Sequence, residues 1–162
     1  MRALKGFSLR HCLTFNNILI LIGLAGGLAL LPSYVGFYTN ESESLPFKLF
    51  LVLKKATPHK EDYAVFSHPW FQKDLIKQVV GVEGDDVRIA PDKTIWVGGQ
   101  KLGSFINTTS SGTKLTPLKF SGCIPEGYVF VASPHERSFD SRYEEMGLLT
   151  VKDLKARAIP LF

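Results

Sequence analysis

Three short segments carry residue types that together could perform acyl transfer. The first is Asn40-Glu41-Ser42-Glu43-Ser44-Leu45-Pro46. Pro46 fixes its own backbone and biases the residue before it towards extended geometry, so Ser44 is expected on a stiff turn at a strand's start. A serine hydroxyl is a weak nucleophile until a neighbouring base takes its proton. The second segment, Leu75-Ile76-Lys77-Gln78-Val79-Val80-Gly81, holds a possible base in Lys77. Strand alternation by itself turns this lysine to solvent. Turned instead into an apolar site, it would lose hydration of its ammonium and become an amine able to accept the serine proton. The third segment is Ser138-Phe139-Asp140-Ser141-Arg142-Tyr143. Asp140 and Arg142 are two residues apart and can pair on one side. Each segment alone has a plainer reading: a solvated linker, an exposed strand lysine, and a surface turn with a weak ion pair.

The elements that must position these residues read mostly as strands. Segments 46–53, 62–67, 75–82, 86–90, 94–99, 101–106 and 128–133 are short, rich in β-branched and aromatic residues, and bounded by turn residues. Pro91-Asp92-Lys93 and Gly98-Gly99 predict hairpin turns, and the polar stretch 107–116 predicts a loop. One short helix is expected over 150–155, with Thr150 as N-cap and Asp153 at the capping-box position. The pattern predicts a mainly β fold, a small barrel-like or sandwich domain over 39–162.

A different composition precedes that domain. No charged residue occurs between Cys12 and Asn40, whereas Arg2, Lys5 and Arg10 come before this run. Residues 13–38 are long and apolar enough for a transmembrane anchor, with Tyr34, Phe37 and Tyr38 as interfacial aromatics at its outer end. The positive-inside rule predicts a cytoplasmic flank at 1–12 and export of the rest across the membrane. A cleaved signal peptide is the competing reading, but its apolar core is shorter. The chain carries a net charge of +4, three units of which belong to those N-terminal cations. The basic balance therefore points to lipid and membrane orientation rather than to nucleic acid. Cys12 and Cys123 lie on opposite sides of the expected membrane and make no disulfide framework. Cys123 is expected to be a buried apolar cysteine. His59, His68 and His135 lack ligand spacing and are expected to be solvated or structural, with no metal or cofactor. Trp70 and Phe71 suit either a membrane interface or the core.

In this order, behind an N-terminal anchor, the segments resemble the type I signal peptidase family. Ser44-Leu45-Pro46 is similar to its nucleophile box, Lys77-Gln78-Val79-Val80-Gly81-Val82-Glu83-Gly84-Asp85 to its general-base box, and Ser138 to Tyr143 to its last box. Lys60 to Phe66 is similar to the strand before the lysine box. The short length, the Ser-x-Pro spacing and the ending Lys155 to Phe162 are closest to the conjugative-transfer signal peptidases of the TraF type. The resemblance implies Ser44 as nucleophile, Lys77 as general base and Ser42 as an oxyanion donor. It also implies Ser138 as the residue that orients the lysine, and Asp140 with Arg142 as a supporting ion pair. Ala132-Ser133-Pro134 and Glu83 depart from the housekeeping enzymes. The expected activity is endopeptidase cleavage of an exported precursor, a conjugative pilin before a general secretory protein. A non-catalytic assembly protein of a conjugation or secretion apparatus is the alternative from another class.

Overall fold

The computed structural model describes residues 15–106, 108–109 and 112–162. The expected flank 1–12, with its three cations and Cys12, lies outside the described residues, as do 13 and 14. Helix α1 runs Phe15–Tyr34. Its 20 residues carry no acidic or basic side chain and span about 30 Å at the α-helical rise, the thickness of a bilayer's hydrocarbon core. None of its residues between Asn17 and Tyr34 is buried. A helix apolar all round and exposed is compatible with a single-pass membrane anchor.

The helix stops sooner than the apolar run does. Pro32 removes an N–H from its last turn, and Val35–Thr39 form strand β1 instead. Val35, Phe37, Tyr38 and Thr39 are good strand formers around the helix-weakening Gly36. Residues 35–38, expected in the span, therefore pair with a strand.

Residues 34–162 form the second compact unit. Its further strands are β2 (Leu49–Leu53), β3 (Tyr63–Phe66), β4 (Leu75–Gly81), β5 (Asp86–Ile89), β6 (Thr94–Val97), β7 (Gln100–Ser104), β8 (Gly122–Cys123), β9 (Tyr128–Ala132), β10 (Leu149–Thr150) and β11 (Leu154–Pro160). They make two antiparallel sheets, ordered β1-β2-β11-β3-β4-β9-β10 and β7-β6-β5-β8. The fold is mainly β, as the strand pattern implies. Both expected hairpin turns are present. Lys93 has φ 66° in the first, and Gly98 and Gly99 have φ 54° and 83° in the second, the positive pair that a two-residue type I′ turn needs.

The centre of the larger sheet is covered on both faces. Val65 and Ile76 pack on one side with Phe50, Val52, Ala156 and Ala158. Ala64, Phe66 and Val79 pack on the other with Val129, Val131 and Met146. Phe130, Ala132 and Val80 also join Val87, Ile95, Val97 and Ile124 of the smaller sheet in one core. Gly81 lets the sheets approach, since a Cβ there would overlap Val97 and Ile124.

Two expectations give way here. The helix expected over 150–155 is only a 3₁₀ turn, Val151–Asp153, and Thr150 makes no side-chain cap. Its hydroxyl donates instead to the Asp153 carboxylate at 2.7 Å. From Leu154 the chain becomes β11 and fills the place between β2 and β3. Alanine is a poor strand former, but Ala156 and Ala158 fit this crowded central position at 3% and 2% exposure. Cys123 is exposed and free rather than buried. It ends β8, and the next residue, Ile124, takes the core side.

Candidate active site

The turn bearing Ser44 is organised by Asn40. The Asn40 amide Nδ2 donates to the carbonyl oxygens of Ser42 (3.0 Å) and Phe47 (3.1 Å). Its Oδ1 accepts from the Ser42 N–H (3.1 Å) and the Ser42 hydroxyl (2.7 Å). Asparagine is suited to this task because one short side chain both accepts from and donates to nearby backbone. The other end of the turn is held by Leu45, 2% exposed and packed among Phe50, Val65 and Ile76. Ser44 is half-buried between these two supports.

The hydroxyl chain has a direction. Ser42 Oγ and Ser44 Oγ are 2.7 Å apart. Ser42 gives its single proton to Asn40 Oδ1, which can only accept. Ser44 therefore donates to Ser42, and its proton is aimed away from any base in this state. Ser42, expected as an oxyanion donor, here donates to Asn40 and accepts from Ser44.

Lys77 lies on β4 opposite Ala64 of β3. It is 5% exposed because this part of the sheet is buried on both faces, so alternation no longer offers a solvent side. Its Nζ donates to Ser138 Oγ at 2.7 Å. Burial pushes the Lys77 pKa down to about 8. The Asp140 charge opposes this shift and the Arg142 charge adds to it. A lysine tuned to that value is neutral in a useful fraction of molecules near neutral pH.

Behind Ser138 lies the Asp140–Arg142 pair, with both side chains fully buried. Arg142 Nε and Nη2 donate to the two Asp140 oxygens at 2.8 Å each, a bidentate arrangement. The guanidinium also donates to the His135 carbonyl at 3.0 Å. Asp140 accepts further from the Ser133 and Arg142 N–H groups, each at 3.2 Å. The weak surface pair of the plainer reading is thus a satisfied buried one, and it pins both ends of the loop that presents Ser138.

Ser42, Ser44, Lys77 and Ser138 line one cleft of about 780 Å³. A second hollow of about 460 Å³ shares Ser42, Ser44 and Lys77 with it. Asp140 and Arg142 lie behind the wall rather than in it. His135 lines the cleft, whereas His59 is an exposed neighbour of Asp62. Trp70 and Phe71 are at the cleft wall, 51% and 43% exposed, and not in the core. Sequence reading passed over the organising role of Asn40. Its signal was an asparagine two residues before the first serine, a spacing typical of Asx turns.

The chain is similar to several known proteins. A family model described as signal peptidase, peptidase S26, matches residues 9–162. Conjugal transfer protein TraF of Agrobacterium fabrum (strain C58 / ATCC 33970) is 28% identical over 168 residues, covering 87% of this chain and 93% of that protein. Among solved structures, a signal peptidase I from Enterococcus faecalis V583 is similar over 63% of this chain and 97% of that one. Its sequence identity is 24% and its TM-score 0.42.

Proposed function

The chain belongs to the signal peptidase family, peptidase S26, and from that premise we propose that Ser44 and Lys77 form a Ser–Lys dyad that cleaves exported precursors. The observation that carries this reading is a buried lysine, its pKa pushed down to about 8, lining the same cleft as a serine on a braced turn. Neutral Lys77 takes the Ser44 proton as Oγ attacks the scissile carbonyl. The developing oxyanion is met by Ser42 and the Ser44 N–H, each such donor contributing about 3 kcal/mol. The C–N bond then breaks, and Lys77 returns its proton to the leaving amine. Water hydrolyses the resulting ester and regenerates Ser44. Ser138 orients the Lys77 amine, and Asp140 with Arg142 supports Ser138.

The proposed client is a pilin precursor of a conjugation system. What supports this is the likeness to a protein named for conjugal transfer. The proposed setting is the bacterial inner membrane, with the N-terminus cytoplasmic and the catalytic unit periplasmic. Arg2, Lys5 and Arg10 before an uncharged helix support that orientation.

Precursor processing by Ser44→Ala and Lys77→Ala proteins tests the dyad. Both are expected to leave the precursor intact, and cleavage by both variants overturns the proposal. Processing of generic secreted precursors in cells lacking their own signal peptidase would favour a housekeeping role over a pilin-specific one.

A further inference from the structure

One wall of the cleft is aromatic, and acyl transfer makes no use of it. Trp70 and Phe71 belong to the β3–β4 connection. Trp70 stacks on Phe139 with centroids 5.2 Å apart and planes at 15°, and Phe71 lies 5.7 Å from the same ring. Phe139 stacks in turn on the fully buried Tyr143 at 6.2 Å. The group is tied from behind by His68, which is 9% exposed. His68 Nδ1 accepts the Trp70 N–H at 3.2 Å, and Nε2 lies 3.0 Å from the Glu145 carbonyl oxygen. A neutral imidazole protonated on Nε2 satisfies both partners at once. Its ring meets Trp70 and Phe139 edge-on at 5.6 and 5.1 Å.

Large rings braced in this way are not a fraying edge of the core. All three rings line the larger hollow together with Ser44 and Lys77, and Trp70 and Phe71 line the smaller one as well. A polypeptide that brings a carbonyl to Ser44 must therefore pass them. Concave sites walled by held aromatic rings bind apolar groups, and the rings lose little freedom when covered. A methyl side chain would leave most of this wall wet.

We infer that Trp70, Phe71 and Phe139 form a subsite for one large apolar side chain of the precursor near the scissile bond, with His68 as the positioning residue that locks it. The inference deepens the reading of this cleft as the peptidase site and rests on it. The occupant is the substrate and not lipid, because the rings line the cleft that holds Ser44 and stack on the loop that carries Ser138.

The test uses full-length protein in detergent carrying Ser44→Ala, so that peptides bind without turnover. Labelled extended peptides differ at one position at a time near the cleavage point, as Ala, Leu or Phe, and affinity is read by fluorescence anisotropy. At one position, Phe or Leu is expected to bind about tenfold more tightly than Ala. Adding Trp70→Ala or Phe71→Ala should bring that ratio to within about twofold. His68→Leu should reduce it and His68→Asn, which keeps an acceptor near Nδ1, should restore part of it. With Ser44 present, Trp70→Ala should raise KM for the Phe peptide more than it lowers kcat. A ratio near one in the unaltered cleft, or a ratio that survives Trp70→Ala, overturns the inference. So does a Trp70→Ala protein that loses binding to phosphatidylglycerol-containing vesicles while keeping its peptide preference. Preferential binding by a protein that cleaves none of the peptides leaves the subsite standing and removes the dyad. Cleavage that requires Ser44 but shows no preference does the reverse.

Discussion

Ser44 and Lys77 line one cleft, yet the two sides that carry them are built on opposite terms. The serine side is an exposed turn, residues 40–46, held by one asparagine and one buried leucine. Its hydroxyls can rotate at little cost because water is close by. The lysine side is buried strand and loop, where Lys77, Ser138, Asp140 and Arg142 are all at most 5% exposed. There Lys77 donates to Ser138 and Arg142 to both Asp140 oxygens, and an unmatched buried group would cost about 1–3 kcal/mol. The difference shows which side is free to reorganise. The Ser44 hydroxyl can turn its proton away from Ser42, whereas the Lys77 amine is held in a fixed, desolvated position beside Ser138.

The most severe challenge to this division is Lys77→Met, which keeps the buried stem and removes the amine. Cleavage of a precursor is expected to fall by about 10⁴-fold, while chemical unfolding should show a folded protein. In the unaltered protein the rate should rise with pH to a plateau beyond about 8, losing about tenfold per unit well below it. The same depressed pKa acts on stability. Between pH 8 and the ordinary 10.5 the unfolded chain holds the lysine proton and the folded chain does not. Stability from this group therefore rises with pH across that window, by up to about 3 kcal/mol, and Lys77→Met should flatten that slope.

Next in size is Asp140→Asn, which leaves Arg142 buried without its counter-charge. Urea titration should show a loss of about 3–5 kcal/mol. Glu43→Gln on the exposed turn should stay within about 0.5 kcal/mol of the parent. Equal losses from the two substitutions would erase the contrast between the sides. Ser42→Ala should lower kcat by about 10²-fold with stability nearly unchanged, as measured by precursor turnover beside a thermal melt. Asn40→Ala is expected to have a smaller effect on turnover than Ser42→Ala. It should lower turnover by about tenfold by loosening the Ser44 turn, and stability by about 1 kcal/mol. A large stability loss with intact turnover would mean that Asn40 braces the fold rather than the nucleophile.

The candidate site was legible as three separate pieces because each has local chemistry: a serine before Leu-Pro, a lysine in an apolar strand, and an Asp-x-Arg loop. The contact between Lys77 and Ser138 was implied by the family resemblance and not by any local pattern, since it joins residues 61 positions apart. The seven expected strands were found because their β-branched runs and turns are local signals. Strand β1 was hidden inside an apolar run that also suits a helix, and β11 inside an alanine-rich stretch that lacks strand character. Short β8 and β10 leave too few residues for a pattern to register. Cys123 was misplaced because composition reports that cysteines tend to be buried, not which side of a strand a particular one takes.

By itself the sequence determined the uncharged helix, the strand-rich character of the remainder and the order of the chemically capable residues. These follow from periodicity, length and side-chain type, which act over a few neighbouring positions. Only the tertiary structure decided that Lys77 and the Asp140–Arg142 pair are buried. Burial of a strand residue depends on what covers each face of its sheet. Here the second face of β4 is covered by Met146 and Phe139, far along the chain. An alternation that would otherwise hand Lys77 to water instead places its amine beside Ser138, in the cleft that Ser44 lines.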